Sequence, residues 1–430
     1  MSERAREAAH AVWRAALAAG DVAPLVDRAL RRRDVGGILD EGPSPRRVVV
    51  VGCGKASGAM ALAAERVLDA QIADGLVVVK DGYTAPTRRI RLAEAGHPVP
   101  DARGQAAALE MLECVRTAGA DGLVLVLVSG GGSALTPAPA PPVTLAEKQE
   151  TTRLLLAAGA TINELNAVRK HLSLLKGGQL ARAAAPASVL ALVLSDVVGD
   201  PLDVIASGPT APDRSTFAEA LTVLERKQLL ARVPVAVRER LAAGMHGRIQ
   251  ETPKPGDRLF ERVHNLIVGN NALVVDAAAS EARRLGYRAE LLTRGLQGEA
   301  RDVARDLVAR ARALPPRTCL IAGGETTVTV RGGGRGGRCQ EFALAVALAL
   351  GSEDDLVVLA AGTDGTDGPT DAAGGIVDAG TVARGERAGR TARAALDDND
   401  AHTFLSAAGD LVVSGPTNTN LLDIYLFLHG

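Results

Sequence analysis

Residues 129–133, Ser-Gly-Gly-Gly-Ser, end an unbroken Leu/Val run from Leu123 to Val128. Three successive glycines carry no Cβ, so the backbone can turn sharply and aim its N–H groups at an anion. A second glycine turn, Gly52-Cys53-Gly54-Lys55, follows the run Val48–Val51 and sets a lysine where it can reach over the end of a sheet. A third, at 332–337, leads into Arg338, whose guanidinium suits two-point binding of carboxylate or phosphate. Hard oxygen donors accompany them: Asp196 after the run 189–194, and Asp364, Asp367 and Asp371 in GTDGTDGPTD. Positioned cations, backbone donors and a divalent ion held through carboxylates and phosphates suit phosphoryl transfer, which asks little covalent chemistry of the protein.

Neither standard phosphate motif is present. A Walker A loop needs Gly six positions before its lysine and Ser or Thr after it; here Val49 and Ala56 flank Lys55. The dinucleotide fingerprint needs a third glycine where Ser57 stands. Residues 332–337 do fit GxGxxG, but so glycine-rich a run meets that pattern easily, and the acid expected about 20 residues on falls inside another glycine turn, at Asp364. The aspartate loop lacks the spacing and distal Glu of an EF-hand, which leaves Mg²⁺ binding or Asx-turn structure.

The elements that must carry these turns alternate. Strand-like runs at 47–51, 75–80, 123–128, 189–194, 287–292, 317–322, 326–330 and 355–360 are interleaved with helical periodicity at 4–34, 102–117, 144–160, 161–185, 270–286, 298–313, 340–350, 378–396 and 399–408. That alternation predicts an α/β protein with parallel sheet. In the helix starting near Asn163, Asn166, Arg169, Ser173 and Lys176 share one face, read by default as solvated, and Gly177-Gly178 breaks it. His97, in GHPVPD, could serve as an acid or base but reads first as a turn histidine bonded to backbone. Composition puts a domain boundary near 245–262.

The 430 residues are 47% hydrophobic, enough for a substantial core, and length suggests two or three domains. A formal charge of -1 and 2% aromatics argue against nucleic acid. No apolar run nears the ~20 residues a bilayer requires. The opening residues lack an apolar signal region, and four widely spaced cysteines suit a reducing compartment, so a cytoplasmic location is expected with no membrane association.

The segments GCGKASGAMA, GHPVP, VSGGGSAL, NAVRKHLSLLKGGQLA, LSDVVGDPLDVIASGPT, AGGETTV, GGRCQEFAL, GTDGTDGPTDAAGGIVD and GPTNTN occur in this order. With them the chain, from about 5 to 428, resembles the class II glycerate 2-kinases, whose C-terminal part is the MOFRL domain. The resemblance implies two domains: an N-terminal Rossmann-like parallel sheet with helices on both faces, taken as 1–250, and a C-terminal α/β MOFRL domain, taken as 251–430, with the active site in the cleft between. It implies ATP- and Mg²⁺-dependent phosphorylation of D-glycerate to 2-phosphoglycerate. The family's GKA lysine and GGR arginine match Lys55 and Arg338.

The resulting assignment makes Lys55, Arg338 and Asp196 catalytic. Ser129, Gly130, Gly131, Gly132, Ser133, Lys176, Gly208 and Glu325 are assigned to the nucleotide, and Asp196, Asp364, Asp367 and Asp371 to Mg²⁺. A homodimer is left open. Three positions depart from the usual motifs: Cys339 replaces an Asn, Asn418 a Gly, and Leu422 an Asn. Some relatives carry a hydroxypyruvate reductase label, so NAD(P)H-dependent reduction of hydroxypyruvate is the alternative.

Overall fold

The computed structural model describes residues 2–40 and 47–430. They form two compact units that interleave in sequence. The N-terminal unit comprises Val22–Ser195 and Asp200–Val268; the C-terminal unit comprises Met1–Asp21, Asp196–Gly199 and Gly269–Gly430.

The N-terminal unit is built on six strands: β1 (Val48–Cys53), β2 (Ile72–Lys80), β3 (Arg91–Ala95), β4 (Leu123–Val128), β5 (Ser188–Leu194) and β6 (Val263–Gly269). Their order is β3-β2-β1-β4-β5-β6, the Rossmann order, and the pairings from β3 through β5 are all parallel. Every residue of β1, β4 and β5 is buried, which explains their continuous rather than alternating apolar sequence. Helix Ser57–Leu68 connects β1 to β2, and helix Ala102–Arg116 connects β3 to β4. The strand order reverses between β1 and β4, so right-handed crossovers carry these helices to opposite faces.

The C-terminal unit holds β7 (Arg288–Leu296), β8 (Thr318–Gly324), β9 (Leu356–Gly362), β10 (Gly374–Val377), β11 (Leu411–Val412) and β12 (Asp423–His429), ordered β11-β10-β9-β12-β8-β7. β7 and β8 are parallel, while β12 is antiparallel to both β8 and β9. The last strand therefore lies inside this sheet. Its first residue, Asp423, stands opposite Gly324 and Gly362, the final residues of its two neighbours. Phe342, Tyr425 and Phe427 form the aromatic centre of the core beneath.

The sequence-based division at 250/251 does not follow these units. The stretch near 245–262 where composition placed the boundary is folded back: Asp213 N donates to Pro253 O (2.8 Å) and Thr252 Oγ1 to Asp213 Oδ2 (3.0 Å). β6 then joins the first sheet. The predicted helix over 4–34 is three helices, Ser2–Ala19, Val22–Leu30 and Arg33–Asp40. The first buries Ala5, Ala9, Val12, Trp13 and Ala16, a helical stripe, and packs on helix Asn271–Arg284 of the C-terminal unit. Arg6 anchors it to Asp378 and Asp410. The strand expected at 326–330 is irregular chain with one bridge, Glu299–Thr327. The helix expected over 161–185 stops at His171 and resumes at Gln179–Ala184, after Gly177 and Gly178 at φ +59° and +78°. No helix among the described residues is long and apolar enough to cross a membrane.

Candidate functional site

Between β1 and β4 the sheet order reverses, and ligands of open α/β sheets bind outside the carboxyl ends of strands at such a point. The two glycine turns meet there. Lys55 N donates to Gly130 O (2.9 Å), Ala56 N to Ser129 Oγ (3.0 Å), and Ser129 N to Cys53 O (3.1 Å). Gly54, at φ +139°, permits this approach, since a Cβ there would lie 2.1 Å from Ser129 Oγ. The N–H groups of Lys55 and Ala56 are thus spent on the neighbouring turn. Those of Gly130 and Gly131 have no acceptor among the described residues. The helix after the triple glycine is a single turn, Gly132–Leu135, too short to add a helix dipole to the site.

His97 lies against Gly131, its Nε2 3.0 Å from where a Cβ would stand. Burial first, then the charges of Lys55 and Lys80, push its pKa down to about 4, so the ring is neutral near pH 7. His97 lies in a bend, as expected, and there it flanks the glycine loop and senses Lys55.

Beside this loop, the Nζ of Lys176 donates to Ser133 O (2.7 Å) and Oγ (3.0 Å), and Arg169 donates to the same Oγ. Ser133 Oγ meets Ser207 Oγ at 2.9 Å, and Ser207 Oγ donates to Asn166 Oδ1 (3.0 Å). Asn166, Ser207 and Lys176 are buried, as is Lys148 nearby. Burial, then Arg169 and Lys148, holds the Lys176 ammonium well below its ordinary pKa. Burial, then Arg169 and Arg240, takes Lys148 to about 7. Gly208, at φ +63°, shapes the adjoining turn, and its carbonyl accepts from Gly178 N (2.8 Å). The helix face carrying Asn166 and Arg169 is therefore not a solvated one.

In the C-terminal unit, Arg338 opens helix Arg338–Ala349 and is gripped twice by buried Asp423, Nε to Oδ2 at 2.6 Å and Nη2 to Oδ1 at 2.9 Å. Its Nη1 meets Glu325 at 2.7 Å. Burial lowers the Arg338 pKa, but the bonds and charge of Asp423 more than offset this and the net direction is up. The expected anion clamp is thus an ion-pair centre whose fork is already engaged. Tyr425 OH bonds Asp423 Oδ2 (3.2 Å) and Thr326 Oγ1 (3.0 Å). Gln297, Glu325, Thr326, Arg338 and Asp367 line an open cavity of about 720 Å³.

The four carboxylates assigned to Mg²⁺ separate. Among the described residues no three His, Cys, Asp or Glu side chains gather as a metal cluster. Asp367 caps the helix at Arg338, accepting from Cys339 N (3.2 Å), Gln340 N (2.8 Å) and Gln340 Nε2 (3.0 Å). Asp371 is exposed and bonded to His402 Nε2 (2.9 Å). These two are corrections: a carboxylate filled by helix N–H donors and a solvent-facing ion pair do not present ligands to a shared ion. Asp364 remains a better donor. Its Oδ1 and that of Asp423 lie within 3.5 Å of the point a Cβ would fill at Gly362, so this glycine keeps a carboxylate-lined space open. Asp364 Oδ1 also accepts from Thr366 N (3.1 Å). Asp196 Oδ2 accepts from Asn420 Nδ2 (3.2 Å).

Comparison with known proteins bears on this arrangement. Residues 8–242 match a domain of unknown function, DUF4147, and residues 318–423 match the MOFRL family. A D-glycerate 2-kinase of Thermotoga maritima is 43% identical, with 89% of this chain and 90% of the relative covered. The chain belongs to the MOFRL-type glycerate kinase family. A crystal structure of glycerate kinase from Thermotoga maritima superimposes with a TM-score of 0.87 at 40% identity, covering all of both chains. A protein of Agrobacterium vitis with a provisional hydroxypyruvate reductase label is 42% identical over 89% of this chain and 87% of its own.

Within the glycerate kinase family frame, the three departures acquire a physical reading. Asn418, in place of Gly, has φ +58°, and Asn tolerates the left-handed region better than other side chains. Leu422, in place of Asn, has φ +66° without that tolerance. Cys339 is buried, and burial, then Asp423 and Asp367, drives its thiol pKa well up, leaving an unreactive neutral thiol. Asp423 and Tyr425 were not among the expected site residues. Their signal was a lone carboxylate at the head of the apolar run DIYLFL.

Proposed function

We propose that this glycerate kinase relative phosphorylates D-glycerate at its 2-hydroxyl, using ATP with Mg²⁺. The observation that carries the reading is the junction of the Gly54-Lys55 and Ser129–Ser133 turns at the strand-order reversal of a 3-2-1-4-5-6 sheet, with two glycine N–H groups left over. The hydroxyl oxygen forms a bond to the γ-phosphorus as the bond to the β–γ bridging oxygen breaks; ADP leaves and the hydroxyl proton is released to solvent. Gly130 and Gly131 N–H, with the Lys55 ammonium, are assigned to the phosphoryl oxygens, where fixed donors are most effective. Ser129 and Gly132 shape that turn, Gly208 braces its neighbour, and Ser133 with Lys176 completes the polar wall. Asp196 and Asp364 are assigned to Mg²⁺, which when bound neutralises developing charge on the phosphates. Arg338, braced by Asp423 and Glu325, is a fixed positive charge in the C-terminal unit.

Reductase chemistry has less support. The third glycine of the fingerprint is replaced by Ser57, whose hydroxyl bonds Leu127 O (3.2 Å) and Ser129 Oγ (2.9 Å), and Asp81, just after β2, is taken by Arg103. Incubation with ATP, Mg²⁺ and D-glycerate, followed by phosphorus NMR, should show 2-phosphoglycerate and stoichiometric ADP. Oxidation of NAD(P)H by hydroxypyruvate without ADP formation from ATP and glycerate would overturn the reading. ATP binding without turnover would reduce it to a nucleotide-binding module.

A further inference from the structure

The buried cations of the N-terminal unit are treated unequally. Lys170 Nζ has two carboxylates, Asp203 at 3.4 Å and Asp213 at 3.2 Å. Arg169, next to it on the same helix, and the buried Lys176, beyond that helix's end at His171, form no ion pair with Asp or Glu among the described residues. A buried charge is costly unless paired, so an uncompensated pair of cations marks a place where negative charge comes from elsewhere.

The hydrogen-bond direction around them is determined. Arg and Lys can only donate, so Ser133 Oγ, accepting from both, must give its own proton to Ser207 Oγ. Ser207 in turn gives its proton to Asn166 Oδ1. With Oδ1 of Asn166 taken up by that proton, its Nδ2 is left as a buried donor with no partner among the described residues. Asn166 is only 3% exposed. An orphaned amide donor of that kind is costly unless something accepts from it. Ser133 and Arg169 are partly open to solvent, so an acceptor has an entry path.

We propose that Asn166, Arg169 and Lys176, organised by Ser133 and Ser207, form a subsite for one compact oxyanion, a carboxylate or phosphate group of a bound substrate. Nδ2 of Asn166 and the unused N–H groups of Arg169 are its donors. The subsite adds Asn166 and Arg169 to the residues that recognise substrate. Only the identity of the anion rests on the kinase reading: it is either the glycerate carboxylate or a nucleotide phosphate.

The test uses the full chain and three probes, inorganic phosphate, D-glycerate and ATP, read by thermal shift and calorimetry. Millimolar phosphate should raise the melting temperature of the wild type, and Arg169→Gln and Asn166→Ala should remove that rise. The same variants should weaken Kd for glycerate alone, or for ATP alone, by about 10–100-fold, the loss expected for a charge-assisted hydrogen bond. The glycerate arm identifies a carboxylate site and the ATP arm a phosphate site. Should either variant fail to fold, Asn166→Asp decides. It supplies the missing carboxylate at nearly constant size, so it should fold with an equal or higher melting temperature and lose the phosphate response. A wild type that ignores phosphate, glycerate and ATP, or an Asn166→Asp protein that still binds them with wild-type affinity, overturns the subsite. Absence of phosphoryl transfer with the phosphate response intact overturns the kinase reading and leaves the subsite standing.

Discussion

Lys55 is anchored through its backbone. Its N–H is committed to Gly130 O, which fixes the start of the side chain over the strand ends. A cation placed there acts on charge that develops during transfer more than on ground-state binding. Lys55→Ala should accordingly lower kcat by roughly a hundredfold or more, with a smaller change in KM for glycerate, measured by coupled ADP release. An effect confined to KM would remove Lys55 from the transition state. Arg338 presents the reverse case, a cation whose partners define it. Asp423 is completely buried and bonds the guanidinium through both oxygens. Asp423→Ala leaves that cation with only the more exposed Glu325 and should cost on the order of 2 kcal/mol, reduced from the usual buried-pair loss because Arg338 is 34% exposed. Urea unfolding would show it, and a loss below about 0.5 kcal/mol would mean that water replaces the carboxylate.

At the scale of elements, the turns rather than the strands are the sensitive parts. Gly54 combines φ +139° with a Cβ position 2.1 Å from Ser129 Oγ. Gly54→Ala should therefore cost about 2–4 kcal/mol and separate the two glycine turns, abolishing turnover. A well-folded, active Gly54→Ala enzyme would show that the turns are not coupled. Asn418→Val forces a β-branched residue to φ +58° and should destabilise by about 1–2 kcal/mol, whereas Asn418→Gly should be neutral or stabilising in thermal unfolding. The strands and glycine turns were legible because buried parallel strands are continuously apolar and glycine runs punctuate them. Partners were not. The stripe Ala5-Ala9-Val12-Trp13-Ala16 announces a buried face, but no periodicity says that it packs on helix Asn271–Arg284. Likewise the spacing of Asn166, Arg169 and Lys176 indicates a common face, while only the turn at Gly177-Gly178 and the approach of Ser133 turn that face inward. Asp367 and Asp371 looked like ligands because sequence reports a carboxylate's presence and not the donors that already fill it.

At the scale of the molecule, two groups pull the pH dependence of stability in opposite directions over nearly the same interval. His97, in the N-terminal unit, has its pKa lowered from 6.5 to about 4. Between those values the unfolded chain binds the extra proton, so stability is full above pH 6.5 and falls as pH drops toward 4. Asp367, in the C-terminal unit, has its pKa raised from 3.8 to about 6 by burial, against the helix N–H groups that oppose the rise. Between those values the folded chain binds the extra proton, so this group gains stability as pH falls from 6 toward 4, on the order of 3 kcal/mol for a shift of that size. His97 is only about half-buried, so its contribution is weakened by solvent and the two do not cancel. Urea unfolding from pH 4.5 to 7 should separate them. His97→Gln should lose stability less steeply on acidification than the wild type. Asp367→Asn, deprived of the compensating gain, should lose it more steeply. Parallel profiles for all three proteins would show that neither group changes protonation between the folded and unfolded chain, and would remove the physical basis for a neutral imidazole beside Lys55.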